Sequence, residues 1–208
     1  MFLKGCGILD FSLFRLPSKS YGPMPKFVWE DALRGFWLIG KKQPLGRKDL
    51  ADSMDLGEGT ARSIVSFLEK KGLVKKIRGG CVLSESGKGV FARLSLKVLS
   101  SRQLPPLFST MDRPSFCLQC VLAEMPSVKK SIEARDCAVK AGSDGVLSLS
   151  FSNKRFLFAG TRDSVSQKDA GIISEYFPPR EGQVFILSFA KKPLGRERGA
   201  WAAFLGLA

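Results

Sequence analysis

Between residues 45 and 74 the apolar positions fall at helical spacing in two short blocks separated by a tight turn. Leu50, Ala51 and Met54 mark the inward face of one helix, Leu56 lies just past the turn, and Ala61, Ile64, Val65 and Leu68 mark the inward face of the next. Small Ala51 lets the two helices cross closely. Asp55 occupies the turn where such motifs often carry Gly, and Asp tolerates left-handed backbone better than most residues. Gly57 is the predicted N-cap of the second helix and Gly72 its stop signal. The outward positions of that helix are Glu58, Gly59, Thr60, Arg62, Ser63 and Ser66. Two glycines at its start weaken it, yet they let the backbone approach a groove or a phosphate.

The period then changes from helical to alternating. Leu73, Lys75 and Ile77 alternate with Val74, Lys76 and Arg78 up to Gly79-Gly80, and Cys81-Val82-Leu83 returns, which predicts a hairpin. Ser84-Glu85-Ser86-Gly87 opens a further helix through Leu99, with Ser84 as its cap. Upstream, Trp29, Leu33, Phe36, Trp37 and Gly40 share one helical stripe that reads as core packing. The order helix, helix, recognition helix, hairpin, helix is that of a winged helix-turn-helix.

The second half carries a different pattern. Ser115 to Leu122 reads as a strand, Ser127 to Ala141 as a helix, Val146 to Phe151 and Arg155 to Phe158 as a hairpin around Asn153-Lys154, Gln167 to Phe177 as a helix, and Val184 to Phe189 as a strand. This βαββαβ order predicts a ferredoxin-like α/β sandwich, and with the first half an α+β chain. One sheet face would carry Leu118, Cys120, Leu122, Leu147, Leu149, Phe151, Phe185 and Leu187 beneath two helices; the other would carry Cys117, Val121, Val146, Ser148, Val184 and Ile186. That second face is too apolar for water, so either a final helix from about Leu194 to Leu207 or a second subunit covers it. Pro105-Pro106 and Pro114 forbid a continuous helix between the halves. The expected domains are an N-terminal extension over 1–23, a winged helix over 24–100, a linker over 101–114 and a dimerisation or effector domain over 115–208.

Charge sharpens the picture. The 208 residues carry a net +14, and residues 1 to 110 hold 19 Lys and Arg against 9 Asp and Glu, while residues 111 to 208 hold 14 against 10. The excess sits in the half with the helix-turn-helix, around Arg47, Lys48, Arg62, Lys70, Lys71, Lys75, Lys76 and Arg78, as neutralising phosphates requires. No apolar run approaches a membrane span, and Asp10 and Arg15 interrupt the apolar start, so neither a membrane nor a signal peptide is expected. Translation from Met24 is an alternative reading of that extension.

Five cysteines at irregular spacing give no disulfide framework, which fits a reducing cytoplasm. The chain has no histidine, which removes His-based catalysis and ordinary Cys/His zinc sites. Cys117 and Cys120 lie three apart, on opposite faces of a continuous strand, and read as structural. Asp136, Asp144, Asp163 and Asp169 are scattered at helix ends and turns, with no nucleophile and base beside them, so no catalysis and no cofactor are expected.

Residues 27 to 98 resemble the winged-helix domain of archaeal and bacterial regulators, and Gln43-Pro44-Leu45-Gly46-Arg47-Lys48-Asp49-Leu50 resembles the same stretch of the central glycolytic gene regulator family. The whole chain is similar to archaeal two-domain proteins in which a winged helix precedes a domain of unknown function. Ala141-Gly142-Ser143-Asp144-Gly145 and Ala200-Trp201-Ala202-Ala203-Phe204 carry that second likeness. The resemblance implies transcription control without naming a ligand.

From the residues, Thr60, Arg62 and Ser63 are expected to face bases, with Glu58, Gly59 and Ser66 beside them, and Arg47, Lys48, Lys75, Lys76 and Arg78 to hold phosphates of duplex DNA. A homodimer is expected, because one such helix reads too few base pairs to be selective. The start of the final helix has two readings: an anionic effector site on Lys192, Gly195, Arg196 and Arg198, or a helix start at Pro193 whose basic residues are a solvated face or extend the DNA-binding surface. The alternative is an RNA-binding protein using the basic first half and a ferredoxin-like sheet, although Lys154-Arg155-Phe156-Leu157-Phe158 lacks the glycine-aromatic pattern of an RNA-stacking strand.

Overall fold

The computed structural model describes residues 9–16, 25–108 and 113–208, so the expected domain start at Met24 lies outside the described residues. The chain divides into two units after Ser95.

In the first unit, α1 (Trp29–Lys41) begins where the Asp31 carboxylate accepts the Val28 N–H at 3.1 Å, with Glu30 and Asp31 at its positive end and Lys41 at its negative end. Its Leu33, Phe36 and Trp37 are buried, as the stripe implied. α2 (Arg47–Met54) ends at Asp55, whose φ of 51° and ψ of 46° are left-handed. Gly57 then caps α3 (Glu58–Lys70), and Gly72 turns the chain at φ 70°. Leu50, Ala51, Met54, Ala61, Ile64, Val65 and Leu68 are all buried, so the helical spacing located the inward faces of both helices. β1 (Val74–Ile77) and β2 (Gly80–Leu83) pair antiparallel, and α4 (Glu85–Lys97) starts where Ser84 Oγ accepts the Gly87 N–H at 2.9 Å.

Two features of this unit depart from the sequence reading. Part of the expected N-terminal extension is core: a short 3-10 helix, Phe11–Phe14, is capped by Asp10 and sets the Phe14 ring 5.3 Å from that of Phe36, with Leu9 and Phe14 both buried. Burying one such aromatic stabilises by about 1.5–3 kcal/mol, which a solvated extension would forgo. The hairpin also has a third member. Leu45 and Cys81 exchange backbone hydrogen bonds of 3.0 and 2.9 Å, which ties the approach to α2 onto β2.

The second unit holds a five-stranded sheet of β3 (Val98–Leu104), β4 (Ser115–Cys120), β5 (Gly145–Ser152), β6 (Arg155–Phe158) and β7 (Val184–Phe189), with α5 (Val128–Lys140), α6 (Gln167–Tyr176) and α7 (Pro193–Leu207). The unit is α+β, and every strand pair is antiparallel. The expected boundary at residue 100 and linker over 101–114 fail at their N-terminal part, because α4 ends at Lys97 and β3 crosses residue 100 to pair with β4. Regular structure stops only at Leu104, where Pro105-Pro106 begins.

The element order βαββαβ is present, but the strand order is not ferredoxin-like. In that fold the third strand of the motif lies between the first two; here the sheet runs β3-β4-β7-β5-β6, so the fourth strand, β7, is central and β6 is an edge. The physical reason is visible in the strands. β7 is six residues long, Val184-Phe185-Ile186-Leu187-Ser188-Phe189, and buried throughout, which suits a strand with partners on both sides. β6 is four residues, opens on exposed Arg155, and stays beside β5 through the Asn153-Lys154 turn, both residues at positive φ as a tight hairpin demands.

Register fixes the two faces and corrects the expected grouping. Cys117, Leu187 and Leu147 form one cross-strand row and Gln119, Phe185 and Leu149 the next; these face α6, whose Ile173 and following Phe177 are fully buried. Leu118, Ile186 and Ser148, then Cys120, Val184 and Ser150, face the other way. The β4 residues were therefore assigned one position out of step. All six of them are buried, and a strand buried on both faces has no alternation to read. The second face is covered by α5 and α7, not left for a subunit. Gly199 makes this close approach feasible, since a Cβ there would sit 2.4 Å from Ser143 Cβ and 2.5 Å from Ser188 Oγ. Ser143 Oγ and Ser188 Oγ hydrogen-bond at 2.8 Å beneath the helix, so neither buried hydroxyl is orphaned.

Candidate nucleic-acid interface

Three elements of the first unit meet at one groove of about 600 Å³. α2 brings Gly46 and Arg47, α3 brings Arg62 and Ser66, and the β1–β2 hairpin brings Lys76, Ile77 and Gly80. Arg47, Arg62 and Lys76 thus place three cations on one concave surface although their positions span residues 47 to 76. The Leu45–Cys81 bridge is what holds α2 and the hairpin in this relation, and the Cys81 thiol adds a 3.1 Å contact to the Leu45 carbonyl. Burial raises the Cys81 thiol pKa above its ordinary value, so it stays protonated at neutral pH and serves as a donor.

The expected contact residues sort by position. Glu58, Gly59, Arg62 and Ser63 are exposed on α3, while Thr60 and Ser66 are half-buried. Ser63 Oγ donates to the Gly59 carbonyl at 3.0 Å, leaving its lone pairs outward. Arg47 and Lys48 are exposed in the first turn of α2, where free backbone amides and the helix dipole favour an anion. Lys75, Lys76 and Arg78 are exposed on the hairpin, but Lys75 and Lys76 lie on its opposite faces: Lys76 lines the groove, whereas Lys75 lowers the Glu85 pKa from the other side, after the larger effect of Lys88. Lys76 also rests on Glu69 at 2.5 Å. An exposed pair of this kind is worth about 0–1 kcal/mol, too little to keep the ammonium from a phosphate. Sequence reasoning missed Gly46, Ile77, Gly80 and Cys81; the available signal was the Gly79-Gly80 pair, which it read only as a turn.

The second expected site is not assembled in the same way. Pro193 opens α7 and Lys192 is its exposed N-cap. Gly195 is packed on a backbone, since a Cβ there would meet the Gly142 carbonyl oxygen at 2.4 Å. Arg196 is buried and donates from Nη1 to the Ala190 carbonyl at 3.1 Å. Gly195 and Arg196 therefore serve the docking of α7, as the helix-start reading has it; Lys192 is exposed and Arg198 half-buried. Cys117 and Cys120 are fully buried on opposite faces of β4, and burial raises both thiol pKa values. Asp169 is buried and accepts the Phe108 N–H at 2.9 Å and the Ser166 hydroxyl at 2.6 Å. Among the described residues no group of three His, Cys, Asp or Glu could hold a metal ion, and no helix is long and apolar enough to cross a membrane.

A helical unit with a basic groove between a helix pair and a hairpin, followed by a unit built on an antiparallel sheet, defines the class to which comparison can be made. Residues 36–98 match the CggR N-terminal DNA binding domain, and residues 115–207 match a domain of unknown function, DUF4443. A solved structure, the hypothetical protein PH0730 from Pyrococcus horikoshii OT3, is 23% identical, with a TM-score of 0.64 over 88% of this chain and 93% of that one. At that identity the likeness concerns the fold. No curated protein matches the chain. The first unit is thus similar to a DNA-binding domain, and DNA is the partner this similarity supports.

Proposed function

We propose that the chain is a transcription regulator whose first unit is a winged helix-turn-helix bound to duplex DNA, with α3 as the recognition helix. Thr60, Arg62 and Ser63 face bases; Arg47, Lys48, Lys76 and Arg78 hold phosphates, with Lys75 gripping from the far side of the hairpin. The observation that carries this reading is the convergence of Arg47, Arg62 and Lys76 from three elements on one groove, within the region similar to a DNA-binding domain. RNA binding on the sheet is disfavoured, because stacking bases needs an open sheet face and both faces carry helices. The second unit is a non-catalytic dimerisation or sensing unit, and two copies on neighbouring half-sites supply the selectivity that one recognition helix lacks. A cytoplasmic setting accords with the free thiols of buried Cys81, Cys117 and Cys120 and exposed Cys137.

The test is fluorescence anisotropy of the full chain on randomised duplexes and on single-stranded RNA across a salt series. Duplexes should win, with affinity falling steeply with salt. Arg62→Ala should remove about 1–3 kcal/mol of discrimination, and Lys48→Ala should weaken all duplexes alike and lower the salt slope by about 1. Equal affinity for the RNA, or sequence preference unchanged in Arg62→Ala, refutes the assignment.

A further inference from the structure

The second unit contains a groove that the DNA-binding reading does not use. It lies between the β5–β6 hairpin and α6 and measures about 600 Å³, within the range of small-molecule sites. Its floor is aromatic: Phe151 and Phe156 meet edge to face at 4.9 Å, and Phe156 meets Phe185 of the core at 5.0 Å, so the floor is anchored from below. Its far wall is kept low by Ala170, Gly171 and Ser174, which lie within one turn of α6. A Cβ at Gly171 would meet no atom within 4 Å, so the space above it is open and not filled by a neighbour.

The rim is charged with one sign. Lys154 and Arg155 line the groove, and among the described residues neither forms an ion pair. Glu181 accepts the Ser152 hydroxyl at 2.8 Å and the Asn153 N–H at 2.9 Å at this turn, and forms no ion pair with either cation. Gln167 lines the groove from the first turn of α6, whose dipole adds positive potential at that end.

We propose that this groove binds a small anionic molecule with a flat apolar body, a phosphate or carboxylate held by Lys154 and Arg155 and the body laid against the half-buried Phe151 ring, which buried Phe156 backs. Two cations on a rim recognise charge, and an anchored aromatic floor recognises a ring. The groove replaces the start of α7 as the effector site. The inference rests on the regulator reading only for what binding would do to DNA affinity, and binding itself is measured without DNA.

The experiment is two-dimensional amide NMR of the full chain titrated with phenyl phosphate and benzoate, and with inorganic phosphate and phenol as halves of the ligand. The intact probes should shift the amides of Phe156, Gly171 and Ser174 at lower concentration than either half. A Cβ at Gly171 meets no atom within 4 Å, so Gly171→Leu should obstruct the groove and abolish the shifts while leaving the spectrum of the first unit in place. Lys154→Gly with Arg155→Ala should weaken phenyl phosphate about tenfold or more, and leave phenol unchanged. Glycine is chosen at residue 154 because its φ of 61° suits glycine, so loss of binding cannot be loss of the turn. No shifts with any probe at millimolar concentration, or shifts that survive Gly171→Leu, overturn the proposal. Failure of DNA binding in the anisotropy titrations, with these shifts intact, overturns the regulator reading alone.

Discussion

Substituting Gly80 by Ala should open the seam between the hairpin and α2. A Cβ at Gly80 would lie 2.6 Å from the Leu45 carbonyl oxygen and 2.7 Å from its carbon, both backbone atoms that no rotamer change can move. Relief requires Leu45 to shift, which breaks the paired bonds of 3.0 and 2.9 Å between Leu45 and Cys81. Two such bonds contribute about 2 kcal/mol net. The backbone at φ 151° adds about 1 kcal/mol of strain for any side chain. Gly79→Ala is the control: at φ 99° it carries comparable strain, but its Cβ would meet nothing within 4 Å. The two variants should therefore differ by about 2 kcal/mol, or about thirtyfold in the local opening constant. Amide hydrogen exchange at Leu45 and Cys81, read by NMR, measures this directly. Equal protection at these two amides in both variants would refute the argument that the Leu45–Cys81 contact, and not turn strain, requires glycine at residue 80.

Three more outcomes concern the second unit. Lys154→Gly should stabilise the second unit by about 1 kcal/mol, since a left-handed lysine is replaced by the residue that suits a tight hairpin; a lower midpoint in urea would contradict this. Glu181 has its pKa lowered, first by the Asn153 N–H and then by the Ser152 hydroxyl, so its contribution to the turn is present above the unfolded value and lost as pH falls through the folded one. The Asn153 amide should accordingly titrate with a midpoint below the ordinary glutamate value, and Glu181→Gln should remove that titration. Light scattering at micromolar concentration should give about twice the 22.8 kDa chain mass, and a monomer mass with and without DNA would defeat the dimer.

What the sequence revealed and what it hid can be traced to burial. Leu50, Ala51 and Met54 against Ala61, Ile64, Val65 and Leu68 were legible because each helix has one wet face, so the apolar period marks the core directly. The same holds for Asp55 and the Asn153-Lys154 turn, where residue type and backbone agree. β3 was missed because Val98-Leu99-Ser100-Ser101-Arg102-Gln103-Leu104 comes straight after α4 with no turn residue between, and half its residues are polar as an edge strand allows. The sheet order was misread for a different reason: β4 and β7 are buried on both faces, so their composition states that they are central without stating beside which strand. At the basic groove of the first unit Arg47, Arg62 and Lys76 were named one by one, but their meeting depends on the Leu45–Cys81 contact, which joins residues 36 positions apart and leaves no local trace. The second groove left even less signal, because what makes it is absence of side chain at Gly171.

The place of β7 in the sheet governs how the second unit comes into being. β3 pairs with β4 and β5 with β6, each pair a two-stranded ribbon that is marginal by itself in water. Within the sheet the two ribbons are joined by β7, which pairs with β4 on one side and β5 on the other. Before residues 184 to 189 are available, residues 98 to 183 can hold at most two such ribbons with four unpaired edges, and the sheet closes only when β7 takes its place between them. Pairing of this range is slow to form, and open apolar edges are the surfaces on which nascent chains aggregate. A chain stopped short of residue 184 should not be a smaller version of this unit; it should be a different and stickier object, a client for chaperones, whatever the rest of its sequence says.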